Sequence, residues 1–413
     1  MTAVIQMGVF QAANAELSNG VVHAISDDDR FADGMIVPAT AAIFEDLFVL
    51  ELANNHWGKL SRGVKIIDDF ADIVRANGVR AAIKLQFRDV EHFVHRDFRD
   101  RDDVRYVKKT LQTEMPWDEL EQMVARVRSR GMVTMVTPFD EVSVDMGVRF
   151  GVDILKIASS DIRDKTLLRK IASAGKPVIA SSGGADTAHI DHLVGYFAER
   201  RVPFALNHCV SLYPSEDDEL ELNQIDYLRA RYPGIVIGLS THEHCDWHDS
   251  VQIAYAKGAR TFERHIDIDH EGVPVSGYCT KPEQADVWFK AFKKAKEMCG
   301  DTGAAKREVP EKERRYLDAL VRGVYARRDL PVGHCLTDAD VYHAVPLLKG
   351  QISTREFESG EVLTRSMMAD APVLLAAIDA PYVADRWLAD LVADRGLDHP
   401  EPARQPMRMA ANY

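Results

Sequence analysis

Polar and charged side chains stand at the ends of short apolar segments in the middle of this 413-residue chain. Lys84 and Lys156 occur in two of these segments, and hydroxyl side chains such as Thr137, Ser159 and Ser181 occur at or near the ends of segments. Ammonium groups and hydroxyls that donate together suit a phosphate and a carboxylate. His242 and His265 end two neighbouring segments, and such a pair suits a divalent metal with positions left open for substrate oxygens. These residue types predict an anion site beside a metal.

Eight apolar segments alternate with amphipathic, helix-like stretches, and they predict eight β-strands. The segments are FVLELAN (48–54), AAIKLQF (81–87), MVTMVTPF (132–139), DILKIAS (153–159), PVIASSG (177–183), FALNHC (204–209), IVIGLS (235–240) and RTFERHI (260–266). This order favours an α/β fold, a (β/α)8 barrel over residues 46–300. A doubly wound open sheet is the alternative, but ELANNHWG (51–58) lacks the glycine-rich turn typical of that fold.

Barrel enzymes carry their active sites at the C-terminal ends of the strands. Each candidate taken alone also has a plain structural explanation, since a single lysine or serine there is usually solvated and a lone histidine is usually a core residue. The barrel would bring all of them to one rim, which favours a site. The candidates are Glu51, Asn54, Asn55, His56, Lys84, Gln86, Thr137, Lys156, Ser159, Ser181, Ser182, Asn207, His208, Ser211, Tyr213, Ser240, His242, Glu263 and His265.

Strand alternation also assigns directions within the eighth segment. Thr261, Glu263 and His265 should point into the barrel, and Phe262 and Arg264 should point outward. A buried guanidinium needs a counter-charge. We therefore expect a carboxylate partner for the arginine among the outer helices.

The remaining regions are assigned from composition and local pattern. Residues 1–45 form an irregular leader, 301–319 a charged linker, 320–370 a small β-rich domain, and 371–413 a helix followed by a tail. The small domain contains two similar elements, RDLPVGHCLTDADV (328–341) and REFESGEVLTRSMM (355–368), which predict related hairpins. The end of the chain, from residue 398, is polar and predicted to be disordered.

Charge and cysteine content exclude several classes of function. The net charge is -13 and no long Lys/Arg block occurs, so nucleic acid and anionic membranes are excluded as partners of the whole molecule. Five scattered cysteines argue against a disulfide framework, and no CxxC pair indicates zinc. The N-terminus lacks the features of a signal peptide, and no apolar run could span a bilayer. We expect a reducing, cytoplasmic setting.

The ordered motifs resemble one known family. The series ELANNHWG, IKLQ, TPFD, LKIASSD, IASSGG, NHCVSLYP, GLSTHE and FERHIDID is similar to the sialic acid synthase (nonulosonate synthase) family. The stretch VYARRDLPVGHCLTDADV (324–341) looks like the C-terminal antifreeze-like (SAF) domain of that family. The resemblance covers residues 48–370. Each motif is short, and the resemblance is specific because eight of them occur in the same order as in the family.

This resemblance implies a reaction and a set of roles. Phosphoenolpyruvate would condense with an N-acyl mannosamine-type aldose to a 2-keto-3-deoxy nonulosonic acid, with release of phosphate. The metal would be Mn²⁺, with Mg²⁺ or Co²⁺ as alternatives, and the enzyme would be a domain-swapped homodimer. The implied roles are Glu51, Lys84 and Gln86 as catalytic residues, Thr137, Lys156, Ser159, Ser181, Ser211, Tyr213 and Ser240 on phosphoenolpyruvate, His242 and His265 on the metal, and Asn55 and His56 on the sugar.

Three departures from the family pattern stand out. After the seventh strand the family has SDH or SGH and this chain has STH (240–242), which keeps the serine and the histidine. The segment HEGVPVSGYCTKP (270–282) lacks the Asp-His pair that holds the acceptor sugar, and VYHAVPLLKGQ (341–351) lacks the arginine that the small domain offers to it. Both losses fall on the sugar side, so we hypothesise that the reaction is kept and the acceptor differs.

Two other functions stay open. A related phosphoenolpyruvate-condensing synthase would use another acceptor sugar. The sequence does not distinguish it from a sialic acid-type synthase, because the contacts to the acceptor sugar come from loops. A non-catalytic sugar-binding barrel would need no metal, and the joint presence of Glu51, Lys156, His242 and His265 argues against it. Metal-dependent release of phosphate distinguishes the enzymes from the binding protein.

Overall fold

The computed structural model describes residues 42–300, 303 and 305–399. The first eight strands are β1 (Leu47–Ala53), β2 (Arg80–Phe87), β3 (Val133–Pro138), β4 (Ile154–Ile157), β5 (Val178–Ser181), β6 (Phe204–Cys209), β7 (Val236–Ser240) and β8 (Thr261–His265). They pair in chain order, and they close into a barrel because β1 pairs in parallel with both β2 and β8. The predicted (β/α)8 barrel is confirmed, and each predicted segment overlaps one strand.

Helices connect the strands of the barrel. They are α1 (Leu60–Asn77), α2 (Val90–Phe93), α3 (Arg105–Gln112), α4 (Trp117–Ser129), α5 (Glu141–Arg149), α6 (Lys165–Ser173), α7 (Thr187–Glu199), α8 (Gln224–Arg231), α9 (Asp249–Ala256) and α10 (Pro282–Cys299). Side-chain caps begin several of them, for example Asp140, which accepts from the backbone N–H of Ser143 at 2.7 Å. No helix in the described ranges is long and apolar enough to cross a membrane.

Alternation along the strands separates an outer core from the barrel interior. Phe48 of β1 points outward, and its ring centroid lies 4.7 Å from those of Trp288 and Phe289 on α10. Leu47 and Val49 of the same strand point inward. They belong to an inner cluster completed by Phe44, Ala82, Met135, Ile154, Ile179 and Ala205. The next inward residue of β1 is Glu51, so the polar layer lies directly above this apolar layer.

The last residues of the predicted leader contribute to that inner cluster. Phe44 is only 1% exposed and packs with the first residues of the strands, and Ile43 packs against the same cluster. These two side chains therefore cover the N-terminal end of the barrel interior. Residues 1–41 lie outside the described residues.

The chain divides into two compact units after Gly300. The second unit contains α11 (Glu311–Asp318), β9 (Gly323–Ala326), β10 (Val341–Ala344), β11 (Val362–Leu363), β12 (Ile378–Asp379) and α12 (Arg386–Asp394). Helix α11 lies within the stretch interpreted as a linker. The strands pair antiparallel as β9 with β10 and β11 with β12, so this unit contains two small two-stranded sheets.

The two similar sequence elements pair with each other. Antiparallel bridges join Leu330 to Met367 and Cys335 to Val362. The core of the second unit runs from Val324 to Val392, so α12 packs into the same core as the strands. The predicted disordered end lies, from residue 400 onward, outside the described residues. All five cysteines are free thiols, in agreement with the expected lack of a disulfide framework.

Candidate active site

Lys84 lies between two carboxylates inside the barrel. Its Nζ donates to Glu263 Oε1 at 2.6 Å and lies 2.7 Å from Glu51 Oε2. The strand register explains the meeting, since Glu51 stands beside Lys84 on β2 and beside His265 on β8. Glu51 also accepts a hydrogen bond from Gln86 Nε2 at 2.8 Å. The structure therefore brings together Glu51, Lys84 and Gln86, for which the family resemblance implies a catalytic role.

Lys156 brings a second ammonium group into the same layer. Its Nζ donates to Ser181 Oγ at 2.5 Å and lies 3.8 Å from Glu263 Oε2. Ser240 Oγ and Asn207 Nδ2 donate to the same carboxylate at 3.3 and 3.5 Å. Two lysines and two glutamates thus form one buried group with balanced charge. This central network consists of Glu51, Lys84, Lys156 and Glu263.

Two members of this network, Glu263 and Lys84, stay ionised at neutral pH. Burial raises the pKa of the Glu263 carboxyl, but Lys156 and Lys84 together outweigh burial and hold that pKa at about 2. Burial lowers the pKa of Lys84 to about 8, and Glu263 opposes this shift. Both residues therefore carry their charges at pH 7, where the two lysines can bind an anion.

We expect the central network to make the fold sensitive to acid. The pKa of Glu263 is about 2 in the folded chain against an ordinary value of 4.5, so the unfolded chain binds more protons between these values. The resulting stabilisation, about 3 kcal/mol, is complete above the ordinary pKa and is lost as pH falls toward the folded pKa. Urea unfolding between about pH 6 and about pH 3 should show a larger loss for the wild type than for Glu263→Gln. Equal losses would contradict this assignment.

Two serine hydroxyls converge over Gly183. A Cβ added to this glycine would lie 2.7 Å from Ser159 Oγ and even closer to Ser211 Oγ. Both hydroxyls are also neighbours of the Cys209 sulfur, at 3.7 and 3.9 Å. We call Ser159, Gly183 and Ser211 the hydroxyl cradle. The missing side chain allows both hydroxyls to approach the backbone of Gly183 more closely than a Cβ would permit.

Thr137 is a buried hydroxyl without a partner. Its Oγ1 makes no hydrogen bond within the described part of the chain, although the residue is only 2% exposed. Burying a hydroxyl unpaired costs free energy, so such an atom in a barrel interior marks a place where a ligand oxygen would be stabilised. This residue was predicted on the anion side of the site.

His242 and His265 face each other at the ends of β7 and β8. Their ring centroids are 5.5 Å apart. The Val210 carbonyl lies 2.9 Å from His242 Nδ1, so Nδ1–H donates to it and leaves Nε2 free to bind a metal. Burial lowers the pKa of His242 to about 4, and burial with the neighbouring His242 and Lys84 lowers that of His265. Both imidazoles are neutral at pH 7, which is the form that binds metal.

Aromatic rings cover the histidine pair. The ring centroid of Tyr213 lies 4.0 Å from that of His242 and 5.8 Å from that of His265. Tyr278, from the segment after β8, lies 5.2 Å from His265. Tyr213 therefore lies against the proposed metal ligands, whereas the resemblance gave it a role on phosphoenolpyruvate. Among described residues, three convergent metal-binding side chains occur at a different place, formed by Glu216, His244 and Cys245.

A buried ion pair fixes the segment that follows His242. Arg264 Nη1 donates to Glu243 Oε1 at 2.6 Å, Nη2 donates to the Glu243 carbonyl at 2.6 Å, and both side chains are 1% exposed. Arg264 points outward as alternation predicted. The expectation of a partner on an outer helix was wrong, because the carboxylate comes from the loop after β7. This ion pair joins the residue after one histidine to the residue before the other.

The structure separates the two predicted sugar-side residues. Asn55 Nδ2 donates to the Ile266 carbonyl at 2.8 Å, which ties the loop after β1 to β8. His56 is buried, its pKa is lowered to about 4 by burial, and its Nδ1 accepts from the Gly58 N–H at 3.0 Å. A small recess is lined by Asn54, His56, Gln86, Arg88, Val90, Thr110, Thr113, Glu114, Met115 and Leu120. His56 thus borders a cavity, and Asn54 rather than Asn55 accompanies it there.

Sequence reasoning gave too little weight to two residues of the site. Glu263 was expected only to point into the barrel, yet it contacts both lysines of the central network. Gly183 appeared only as the last residue of the fifth predicted strand segment. The inward direction of Glu263 was available from alternation, whereas the approach of two serines to Gly183 depends on the fold.

Comparison with known proteins finds a family model and several chains that are similar to this one. A model of the NeuB family matches residues 73–302. N,N'-diacetyllegionaminic acid synthase of Campylobacter jejuni is 23% identical over 336 residues, which cover 78% of this chain and 97% of that protein. The match extends through both units of the chain.

Solved structures show the same likeness. A protein of Chromobacterium violaceum assigned to spore coat polysaccharide biosynthesis is 36% identical, with a TM-score of 0.76, over 81% of this chain and 100% of that one. The N-acetylneuraminic acid synthetase of Leptospira borgpetersenii is 28% identical, with a TM-score of 0.58, over 66% of this chain and 91% of that one. The family match covers more than half of the sequence.

Proposed function

This chain belongs to the NeuB family, and we propose that it condenses phosphoenolpyruvate with an aldose to a 2-keto-3-deoxy acid and releases phosphate. The product class is that of the nonulosonic acids, because similar proteins are synthases of legionaminic acid and N-acetylneuraminic acid. The observation that carries the proposal is the meeting of two buried lysines, a hydroxyl cradle and a neutral histidine pair inside one barrel.

The lysines and hydroxyls suit phosphoenolpyruvate. Lys156 and Lys84 supply two positive charges in a site where water is largely excluded, so each is worth more to an anion than in solution. Ser159 and Ser211 would donate to phosphate oxygens from the hydroxyl cradle, and Thr137 would gain the hydrogen bond that it lacks. Binding of phosphoenolpyruvate would thus give these ammonium and hydroxyl groups hydrogen-bond partners inside the barrel.

Glu51 is suited to moving the proton of the attacking water. C3 of phosphoenolpyruvate forms a bond to the aldehyde carbon, and C2 becomes electron-poor. The aldehyde oxygen takes up a proton and becomes a hydroxyl. Water adds at C2 and gives one proton to Glu51. The C2–O bond to phosphate then breaks, phosphate leaves with its bridging oxygen, and the second proton of the water leaves with the phosphate as the ketone forms. Gln86 and Lys84 hold the Glu51 carboxylate in place at 2.8 and 2.7 Å.

A divalent metal fits the histidine pair. Both rings are neutral at pH 7, and the Val210 carbonyl fixes the tautomer of His242. A bound metal supplies Lewis acidity that polarises the aldehyde carbonyl. Imidazole nitrogens with substrate and water oxygens suit Mn²⁺, which we propose as the metal, with Mg²⁺ and Co²⁺ as alternatives.

The sugar side belongs to the same proposal. The recess beside His56 and Gln86 is a candidate place for the acceptor, and an acceptor other than N-acetylmannosamine accords with the two departures on that side.

We further propose that residues 320–370 form an SAF-type domain in a domain-swapped homodimer, and that the protein is cytoplasmic. Mass measurement in solution tests the dimer, and cell fractionation tests the location.

A coupled assay of phosphate release tests the function. Phosphoenolpyruvate and Mn²⁺ are supplied with a panel of aldoses, and a chelator is the control. We expect release that needs both metal and one class of aldose. Binding of phosphoenolpyruvate without release for any aldose would favour a non-catalytic barrel, and full activity on N-acetylmannosamine would reject an altered acceptor.

Replacing Gly183 by alanine should weaken phosphoenolpyruvate binding. The new Cβ would occupy the space between Ser159 Oγ and Ser211 Oγ, while Gly183 itself does not need a positive φ. We expect the KM for phosphoenolpyruvate to rise about tenfold with little change in thermal stability, since the loss equals about one hydrogen bond to a charged group. Gly195→Ala is the control, because nothing lies within 4 Å of a Cβ there. An unchanged KM in Gly183→Ala would count against the cradle.

A further inference from the structure

Three metal-binding side chains meet outside the site described above. Glu216 follows β6, His244 and Cys245 follow β7, and one donor atom from each lies within 4.8 Å of the others. The Cys245 sulfur is 3.7 Å from both ring nitrogens of His244. Thiolate, imidazole and carboxylate are the ordinary protein ligands of zinc. The same three together are a poor set for Mg²⁺ or Ca²⁺, which prefer oxygen.

The spacing of these donors suits a single ion. With Zn–S of about 2.3 Å and Zn–N of about 2.0–2.1 Å, tetrahedral bonds place sulfur and nitrogen about 3.5 Å apart. The observed separation of 3.7 Å is close to that value, and because it is the same for both ring nitrogens, the exposed His244 ring must turn one nitrogen toward the ion on binding. All three residues are exposed, so rotation of the Glu216 side chain can close the remaining distance without disturbing a core.

The backbone on both sides of the cluster is held in place. Ser215 and Glu243 form a parallel bridge, and the Ser215 N–H donates to the His242 carbonyl at 3.2 Å. Both bridge residues are 1% exposed. Glu216 follows the first, and His244 follows the second. Donors that extend from a fixed bridge lose less conformational entropy on binding an ion than donors on free loops.

The buried ion pair adds to this preorganisation. Arg264 binds both the carboxylate and the carbonyl of Glu243, and the hydroxyls of Thr241 and Ser250 donate to the same carboxylate. The residue just before His244 is thus fixed by contacts from β8 and α9. On the other side, the Glu216 N–H donates to Glu219 Oε2 at 2.9 Å.

We propose that Glu216, His244 and Cys245 form a zinc site that links the loop after β6 to the loop after β7. Three protein ligands leave the fourth position of a tetrahedral ion to water or to a small ligand. The site is separate from the proposed His242–His265 pair in both residues and chemistry, since a thiolate selects zinc over Mn²⁺. It does not depend on the proposed synthase activity.

Zinc titration of the untagged full-length chain against a chromogenic chelator tests this site. Besides any zinc on the His242–His265 pair, wild type should hold one zinc ion that Cys245→Ser holds at least about 100-fold more weakly and Glu216→Gln about tenfold more weakly. Cys299→Ser, which removes another exposed thiol, should bind as wild type does. Thermal unfolding with and without zinc should show a rise in Tm that is absent from Cys245→Ser.

Cobalt provides an independent readout of the thiolate. The wild type and a His242→Ala/His265→Ala double variant should both develop a thiolate-to-cobalt charge-transfer band, and Cys245→Ser should not. Equal zinc affinity in the wild type and Cys245→Ser would overturn the proposal. Loss of the zinc site in the double variant with retention in Cys245→Ser would overturn it as well, because the ion would then lie on the histidine pair.

Discussion

Replacing Lys156 by methionine should lower kcat/KM for phosphoenolpyruvate by about 10²- to 10³-fold, the range found when one preorganised donor is removed from an active site. Lys156 is 1% exposed, and its ammonium group donates to Ser181 Oγ at 2.5 Å. Methionine keeps the length of the side chain but cannot neutralise or hydrogen-bond an anion. Steady-state kinetics at saturating aldose, with binding of phosphoenolpyruvate measured separately, check the prediction.

The fold should tolerate this change better than the activity does. When Lys156 is removed, Glu263 loses the more distant of its two counter-charges, at 3.8 Å, and keeps the nearer one, Lys84, at 2.6 Å. Lys170→Met is the matched control, because that lysine is on the outer helix α6 and pairs with Asp145. If kcat/KM of Lys156→Met stayed within about threefold of the wild-type value, the difference in activation free energy would be below about 1 kcal/mol. That result would show that Lys156 does not bind the anion.

The largest effect on stability is expected for Arg264→Met. The substitution leaves the Glu243 carboxylate at 1% exposure without the guanidinium that lies 2.6 Å away. Removing one partner of a buried ion pair typically costs about 3–5 kcal/mol, because an uncompensated charge stays behind. Urea unfolding monitored by fluorescence should show this loss as a lower midpoint with an unchanged slope.

A double variant distinguishes the free energy lost with the buried ion pair from that lost with side-chain packing. Glu243→Gln in the Arg264→Met background removes the stranded charge and should recover part of the loss. Arg231→Met is the control, since Arg231 binds Asp191 through two contacts of 2.7 Å at a partly exposed place and should cost about 1 kcal/mol or less. A loss for Arg264→Met no larger than that of the control would mean that the buried pair does not fix the loop after β7.

The barrel could be predicted because its signal is local and repeated. Each strand is a short apolar run, and its polar residues occur at the C-terminal end of that run. Inward and outward directions in β8 followed from alternation alone, which placed Glu263 inside and Arg264 outside. The register that puts Glu51 beside both Lys84 and His265 then follows from closure of the barrel.

The partners of these side chains could not be predicted in the same way. Glu243 reaches Arg264 from a loop whose path no periodicity describes, and a search for CxxC spacing does not find zinc donors that come from two loops. Asn54 and Asn55 are adjacent in sequence, and only the turn after β1 decides which one borders the recess. The helix α12 was expected from its amphipathic pattern, but its packing in the core of the second unit needs the tertiary structure.

The central claim is that water adds at C2 of phosphoenolpyruvate and that phosphate leaves with its bridging oxygen. Phosphoenolpyruvate labelled with heavy oxygen at the bridging position, incubated with enzyme, Mn²⁺ and the active aldose, measures this directly by mass spectrometry of the released phosphate. The proposed reaction predicts that the label appears in phosphate in proportion to the keto acid formed. Unlabelled phosphate would contradict it, because the phosphorus–oxygen bond would then be the one that breaks.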